Sequence, residues 1–576
     1  MPETGETGAA RRARLLAAAR ARGRFPVVIV GAGINGLGTF RDLCLQGVDC
    51  LIVDRGDYCS GTSAAPSRMI HGGLKYLETG EFRLVAESVR ERNRLLRNAP
   101  HLVRPLEMVI PLPRRFGGEL ASALRFLGLK TKMRRRGKLI IEAGLTAYDF
   151  FGRKTRVMPP HRSISRAELY ATLPDLAEGM IGGSSYFDAQ IAIPERLGVE
   201  LALDGMAANP ASVALNHVAV EGRDGTALRL VDRIGGDAFT VQPDLVINAA
   251  GPWIDRTNRA MAAESTLIGG TKGSHLLLDL PALRDELGDR MVYFDPGDGR
   301  LLLVAQLEGR VLLGSTDIPA DDPDAAVCGD DEIDYMLDGL RAVFPRIGAT
   351  RRHIVFTYCG VRPLPRGDSS DPGAISRDHS IAVAEPAGDR SFPILSLVGG
   401  KWTTFRAFAE QTADMVLARL GAPRRTGTLE LAIGGGHGLS NRAEDWSRLH
   451  AEVAERLGGD GTRAWALVRR FGARSLEAVP YCRGSADPLT TLPGIGRGEI
   501  AFMAETEQVE HIADLALRRT SIALAGHLTS AAVRELAEVV GELRGWDAAR
   551  RDAEAEGLAE AMLRRHRIDI ATGRLV

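Results

Sequence analysis

The chain opens with apolar runs and helical periodicity in alternation. Val27-Val28-Ile29-Val30 is continuously apolar, the pattern of a parallel strand buried on both faces. Residues 37–46 then repeat apolar positions at helical spacing, and residues 50–53 form a second apolar run. The order predicts strand, helix, strand. Residues 82–98 segregate apolar and charged side chains at helical spacing and predict an amphipathic helix. From about residue 180 to 400 the apolar runs are short (276–278, 301–305, 311–313, 354–356, 394–398), with Gly, Pro and Asp between them. That punctuation predicts a mixed or antiparallel sheet interleaved with the first unit. Gly434-Gly435-Gly436-His437-Gly438 reads as a linker. Beyond it, residues 443–457, 463–471, 508–517, 531–543 and 547–566 read as helices, the last capped by Asp547.

The turn after the first strand carries the first chemistry. Gly31-Ala32-Gly33-Ile34-Asn35-Gly36 joins the strand to the helix. Gly31 permits the tight turn, Gly33 lets the backbone approach a pyrophosphate, and Gly36 lets helix and strand pack closely. The helix N-terminus offers its amides to the phosphate charge. The second apolar run ends in Asp54, about 20 residues beyond the glycines, where an acid for ribose hydroxyls belongs. Strand, loop, helix and acid together predict a dinucleotide site. The loop by itself does not separate NAD from FAD.

Composition narrows the partners. At 576 residues the chain has material for about two to four domains. Its 73 basic and 73 acidic residues balance, which disfavours a globally basic nucleic-acid binder. Six scattered cysteines without a Cys-x-x-Cys pair disfavour a zinc site or a disulfide framework and suit a reducing cytosol. No charge-free apolar run reaches the ~18–20 residues of a membrane span. Residues 1–25 read as a solvated basic arm. Residues 113–138 mix leucines with a dense basic run, a composition that suits a helix lying on an anionic membrane. The acids Asp321, Asp322 and Asp324, followed by Asp330, Asp331 and Glu332, lack a calcium-loop pattern and read as a solvated loop. No metal-ligand spacing occurs.

Several segments resemble one family. Gly61-Thr62-Ser63 and residues 67–77 (SRMIHGGLKYL) are similar to the flavin-contacting stretch of FAD-dependent, quinone-linked glycerol-3-phosphate dehydrogenases. Residues 272–275 (KGSH), 314–317 (GSTD), 360–364 (GVRPL), 375–378 (ISRD) and 399–406 (GGKWTTFR) recur in that family's order. Residues 244–253 (DLVINAAGPW) resemble its later FAD-contacting strand and turn, and 514–520 (DLALRRT) a motif of its helical domain. The chain departs from the family pattern at Lys75, where arginine is usual, at Phe405, where tyrosine is usual, and in the longer, more basic stretch 124–138. Lysine does not replace an arginine fork, so Lys75 bears on substrate identity rather than on flavin chemistry.

The resemblance implies an α/β fold: a Rossmann-like FAD-binding domain interleaved with a mixed or antiparallel-sheet substrate domain, as in D-amino-acid-oxidase-like flavoproteins, over residues 26–433, with an all-α C-terminal domain over 438–576. It implies non-covalent FAD held by Gly31, Gly33, Asn35, Gly36, Asp54, Thr62, Ser63, Arg68, Ile70, Ala249, Gly251, Trp253, Gly400, Lys401, Trp402 and Thr403. Substrate contacts would be Lys75, Tyr76, His275, Arg362, Arg377 and Lys401. Arg362 would face the reactive side of the flavin. His71 is favoured as base, with His275 as competitor and assistance mainly by Arg362 electrostatics as a third route. The implied activity is oxidation of sn-glycerol 3-phosphate, with electrons passed to membrane quinone by a peripheral protein on the inner face of the cytoplasmic membrane, compatible with a homodimer. A longer polyol phosphate, an oxygen-using oxidase, an amino-acid oxidase and a non-catalytic flavin scaffold remain alternatives.

Overall fold

The computed structural model describes residues 6–74, 81–113, 138–153, 157–297, 300–366, 378–484, 488–492 and 494–576. Among these, two sheets share the first two thirds of the chain. One runs Ser380–Ala384, Ile394–Val398, Ala238–Asn248, Arg24–Val30, Cys50–Val53, Val213–Leu215 in space. Along this order every pairing is parallel except that of the edge strand Ser380–Ala384, and the hairpin Val218–Asp224 and Ala227–Asp232 adds antiparallel pairings off Ala238–Asn248. Val27 to Val30 are buried on both faces, as the unbroken apolar run predicts. Helices Ile34–Leu45, Pro194–Ala208 and Phe405–Leu420 cover one face. Their backbones approach closely: a Cβ on Gly38 would lie 2.8 Å from the Phe405 ring, and one on Gly205 2.6 Å from Phe40.

The second sheet is antiparallel apart from one parallel pair, Arg290–Phe294 beside Val103–Leu112. Thr271–Leu278 sits between Arg310–Gly314 and Ile354–Arg362. The chain alternates between the sheets, so the interleaving expected from the apolar pattern is present. The parallel strands all point their C-terminal ends one way. Val30, Val53, Asn248 and Val398 lead directly into the loops 31–33, 54–57, 249–253 and 399–404. Met69–Ile70 and Ile354–Arg362 bring the second sheet to the same place. Crevices beyond the carboxyl ends of parallel strands are where open α/β sheets bind ligands.

The C-terminal third is helical: Ala443–Arg456, Gly461–Phe471, Ser475–Cys482, Arg497–Thr506, Ser530–Arg544 and Ala548–His566. Asp547 caps the last by accepting from the Arg550 amide at 2.8 Å. Three expectations need correction. The basic arm is a helix, Gly8–Arg22, docked rather than solvated. Its Arg12 is buried and bonds Asp232 at 2.6 Å, and Leu15 and Ala19 join the core beneath the parallel sheet. The tract 434–438 is not a loose linker. Gly434–Gly436 are buried, and a Cβ on Gly435 would stand 2.0 Å from Phe471 O, so the glycines allow two backbones to cross. Residues 508–517 form no continuous helix: a short turn, Ile512–Asp514, runs into a wide turn, Leu515–Arg519.

Candidate active site

The loops at the carboxyl edge close on one another through their own amides. Gly31 adopts φ +105°, and a Cβ there would lie 2.6 Å from Ala249 O. A Cβ on Gly36 would lie 2.0 Å from Gly31 O, so this glycine seats the helix against the turn. Asp54 accepts from Ala32 N at 2.7 Å and Gly56 N at 2.9 Å. Burial raises its carboxyl pKa against those bonds. Asn35 donates to Gly399 O at 3.2 Å, and Gly400, at φ +95°, leaves Asn35 the space a Cβ would take. Ser63 Oγ accepts from the Ile34 amide at 3.1 Å, Thr62 donates to Val361 O at 2.6 Å, and Trp402 donates to Ser63 O at 3.1 Å.

These loops surround a cavity of about 1000 Å3. Thirteen of the residues expected at a cofactor line it: Gly31, Gly33, Asn35, Asp54, Thr62, Ser63, Arg68, Ala249, Gly251, Trp253, Gly400, Lys401 and Trp402. Three stand behind its wall. Gly36 packs under Gly31, Ile70 is fully buried in its strand, and Thr403 accepts from the His71 amide at 3.1 Å. The Arg68 guanidinium is engaged by the protein itself, with Glu195 at 2.9 Å and Ala64 O at 3.0 Å. A glycine turn, a helix N-terminus and an acid closing the second strand fit a dinucleotide, and the large cavity beyond them fits a fused-ring group.

Two of the residues expected at the substrate, His275 and Arg362, come from the second sheet. Thr271–Leu278 pairs with Ile354–Arg362 so that Gly273 lies opposite Gly360. Arg362 crosses diagonally over Gly273, where a Cβ would be 2.1 Å from Nη2. Its guanidinium donates to Asp317 at 2.9 Å and to Thr316 O at 3.2 Å. Glu332 ties the same segments together: Ser274 donates at 2.9 Å, Thr316 at 2.6 Å, and Lys272 reaches it at 2.7 Å. The segments 272–275, 314–317 and 360–364 therefore converge on the seat of one arginine, which follows the cavity-lining Val361 and precedes the lining Pro363.

His275 stands behind the wall. It is 1% exposed, shares a 2.8 Å bond with Ser67 Oγ, and stacks on Tyr358 at 4.8 Å. Burial, with Arg362 and Arg68 nearby, holds its pKa well below the ordinary imidazole range, so it is neutral. His71 sits at the turn after Met69–Ile70. The next residue, Gly72, donates its amide to Tyr148 Oη at 2.8 Å and Asp188 at 3.1 Å. Tyr148 donates to Asp188 at 2.5 Å, and Arg92 donates to both. This buried trio fixes the His71 turn, and the sequence reading missed it because its members lie far apart in the chain. Lys401 lines the cavity. Lys75, Tyr76 and Arg377 lie outside the described residues, as does the basic run 114–137.

The helical third reaches the site through Asp57, three residues after Asp54. Its carboxylate accepts from Arg519 at 2.7 and 2.9 Å and Asn216 at 2.8 Å, both buried, and from the part-buried Arg518 at 2.5 Å. Arg518 also bonds Asp514, which accepts from His217 at 3.1 Å. Ligand-type atoms of Asp57, His217 and Asp514 lie within 4.8 Å of one another. Arg518 donates into both carboxylates and Arg519 into Asp57, which makes the cluster an ion-pair network. The family-like segment 514–520 thereby acquires a structural task.

A family model described as FAD dependent oxidoreductase matches residues 26–415, and one described as the C-terminal domain of alpha-glycerophosphate oxidase matches residues 426–551. A glycerol-3-phosphate dehydrogenase of Synechocystis is 33% identical over 87% of this chain and 89% of its own length. An aerobic glycerol-3-phosphate dehydrogenase of Staphylococcus aureus is 27% identical over 86% of each. The structure of glycerol-3-phosphate dehydrogenase from Bacillus halodurans complexed with FAD superposes with a TM-score of 0.76 over 97% of this chain and 98% of that one, at 22% identity. At that identity the likeness shows the fold.

Proposed function

The chain belongs to the FAD-dependent glycerol-3-phosphate dehydrogenase and oxidase family, and from that premise we propose that it oxidises the C2 hydroxyl of sn-glycerol 3-phosphate to dihydroxyacetone phosphate and passes the electrons to membrane quinone. FAD, when bound, accepts a hydride at the flavin ring. The protein supplies the rest. His71, on a turn locked by Tyr148, Asp188 and Arg92, takes the hydroxyl proton. Arg362, seated on Gly273 and oriented by Asp317, faces the alcohol oxygen and stabilises the negative charge that develops there. Lys401, with Lys75 and Arg377, anchors the phosphate. His275 is shielded behind Tyr358 and orients Ser67 instead of meeting substrate. The observation that carries this reading is the convergence of three separate motifs on the Arg362 guanidinium beside a cavity built for a dinucleotide.

Membrane docking has its own support. Phe82 and Phe150 are exposed on two neighbouring helices, Phe82–Asn98 and Lys138–Gly152, and Phe82 and Phe150 both approach Phe151. In the sequence, the basic run 114–137 directly precedes the second of these helices. Exposed apolar rings on two helices, one of which a basic stretch of sequence precedes, suit an anionic bilayer surface. Among the described residues no helix is long and apolar enough to cross a membrane. The second reading, an oxidase, differs in acceptor. Steady-state turnover of purified holoenzyme with sn-glycerol 3-phosphate separates them: we expect rapid reduction of a short-chain quinone and little peroxide under air. Stoichiometric peroxide with no quinone reduction would overturn the quinone assignment.

A further inference from the structure

The acidic loop that the sequence offers as solvated surface is engaged with the cofactor cavity. Residues 323–327 line that cavity together with Arg55, Trp253 and Arg256. One carboxylate, Asp324, joins all three. Its Oδ1 accepts from Arg55 Nη2 at 2.5 Å and from the Trp253 indole N–H at 3.0 Å, and its Oδ2 accepts from Arg256 Nη1 at 2.8 Å. Asp322 braces the arrangement, accepting from Arg256 Nη2 at 2.9 Å and from the Asp324 amide at 3.0 Å. The Arg55 guanidinium lies over the Trp253 ring at 4.5 Å, and the ring also meets Gly61, where a Cβ would come within 3.1 Å. At the far end of the loop, Val327 O is held by Lys272 at 2.9 Å, the lysine that also pairs with Glu332.

The partners in these bonds come from three separated places in the chain, the donors from two of them. Arg55 directly follows Asp54. Trp253 and Arg256 follow the strand Ala238–Asn248. The carboxylate comes from the loop between the short strand Ile318–Pro319 and the helix Asp330–Val343. Each of the first two segments leaves a parallel strand flanking Arg24–Val30, at the edge where the dinucleotide site is built. We propose that residues 323–327 form a strap across this end of the FAD site, and that Asp324 is the positioning residue that latches it by holding Arg55 and Trp253 in the cavity wall. An isolated surface ion pair contributes little. This carboxylate differs because three donors share it, each of them on the cavity wall, so its release loosens the wall from several sides together. Arg55, Arg256 and Asp324 remain 40–49% exposed at their side chains and Trp253 is half-buried, so the latch can open without unfolding the core.

The prediction concerns cofactor exchange. Holoenzyme is diluted into excess apo-acceptor for free flavin, and FAD release is followed by the recovery of flavin fluorescence. Asp324→Asn should release FAD about tenfold faster, the loss of roughly one charge-assisted hydrogen bond. Asp324→Glu should recover part of the difference. Asp321→Asn, an exposed neighbour outside these contacts, serves as control and should release FAD at the parent rate. Raising ionic strength should speed release from the parent protein and have less effect on Asp324→Asn, because screening acts on the charges the variant lacks. Thermal melting of each apo-protein monitors the fold. Release from Asp324→Asn within about twofold of the parent, below what one such bond contributes, would overturn the proposal. Equal acceleration by Asp321→Asn, or faster release matched by a collapsed apo-protein melt, would overturn it too.

Discussion

Gly273→Ala gives the sharpest probe of the proposed substrate side. Gly273 has no left-handed backbone requirement, so the methyl group can be added without backbone strain. What it meets is the Arg362 guanidinium: the new Cβ would lie 2.1 Å from Nη2, 2.6 Å from Cζ and 2.8 Å from Nη1. Ordinary contact needs about 3.5 Å or more between such atoms, so the guanidinium must move by more than about 1 Å. It is the far end of a flexible side chain and can move, but not without leaving Asp317 Oδ1, now at 2.9 Å, and Thr316 O, now at 3.2 Å. The fold should tolerate this. Alanine is easier to order than glycine by about 0.4–1 kcal/mol, which offsets part of the lost ion pair at a residue about a quarter exposed. Catalysis should not tolerate it, since a displacement of about 1 Å in a group aimed at the reacting oxygen can cost on the order of 100-fold. The assay is anaerobic stopped-flow reduction of bound flavin by sn-glycerol 3-phosphate, with FAD content and melting temperature measured alongside. The variant should keep its FAD and melt near the parent, while the limiting reduction rate falls by roughly 10- to 100-fold. A reduction rate within about threefold of the parent, with FAD and fold intact, would refute the placement of Arg362 at the alcohol, because so displaced a group could not be contributing the ~3 kcal/mol typical of one oxyanion-side donor.

Two further outcomes follow from buried charge. Arg519 is fully buried and bonds both oxygens of Asp57, so Arg519→Ala leaves that carboxylate and Glu507 short of a partner and should cost about 3–5 kcal/mol in urea unfolding. The variant should also bind FAD more weakly, because Asp57 fixes the loop that carries Asp54, and a loss below about 1 kcal/mol would contradict the buried network. Acid should destabilise the protein through its neutral histidines. Burial lowers His566 to about 4, with its ring stacked on Phe356 and its Nδ1 bonded to Thr357 O, and it holds His275 lower than the usual range as well. Below the unfolded value of about 6.5 the unfolded chain binds protons that the fold refuses, so stability is full above about pH 6.5 and falls as pH drops towards 4. His217 works in the opposite sense, since Asp514 raises it against burial and its contribution fades as pH rises. The slope difference between parent and His566→Asn isolates one group. It should approach about 1.4 kcal/mol per pH unit between pH 4.5 and 6, and parallel slopes would contradict the depressed value.

What the sequence discloses here is local. Val27 to Val30 and the glycine turn can be read because a doubly buried strand must be apolar throughout and a pyrophosphate-binding turn must lack side chains; both requirements act on neighbouring residues. The helix Phe82–Asn98 and the Asp547 cap are legible for the same reason. Distant pairings leave no such mark. Arg12 looks like a solvated residue until Asp232 and Asn216 are placed beside it, more than 200 positions later. The tract 434–438 has the composition of a linker, yet its missing side chains serve a crossing against Phe471 O and Asn98 O. Asp57 and Arg519 are separated by 462 positions, and the acids around Asp324 look idle without Arg55 and Trp253. Gly273 shows the middle case. Its motif is visible in the sequence, but its purpose, a seat for Arg362, becomes visible only when the two strands are in register.

The central claim is that this FAD site oxidises a polyol phosphate, and the half-reaction tests it most directly. Purified holoenzyme is mixed without oxygen with sn-glycerol 3-phosphate, and in parallel with an erythritol phosphate, while flavin absorbance is followed. Rapid, saturable bleaching by sn-glycerol 3-phosphate is the expected result. Flavin that stays oxidised with sn-glycerol 3-phosphate and bleaches with the four-carbon phosphate would move the substrate assignment to Lys75 and a longer polyol. Flavin that neither compound reduces would contradict the claim.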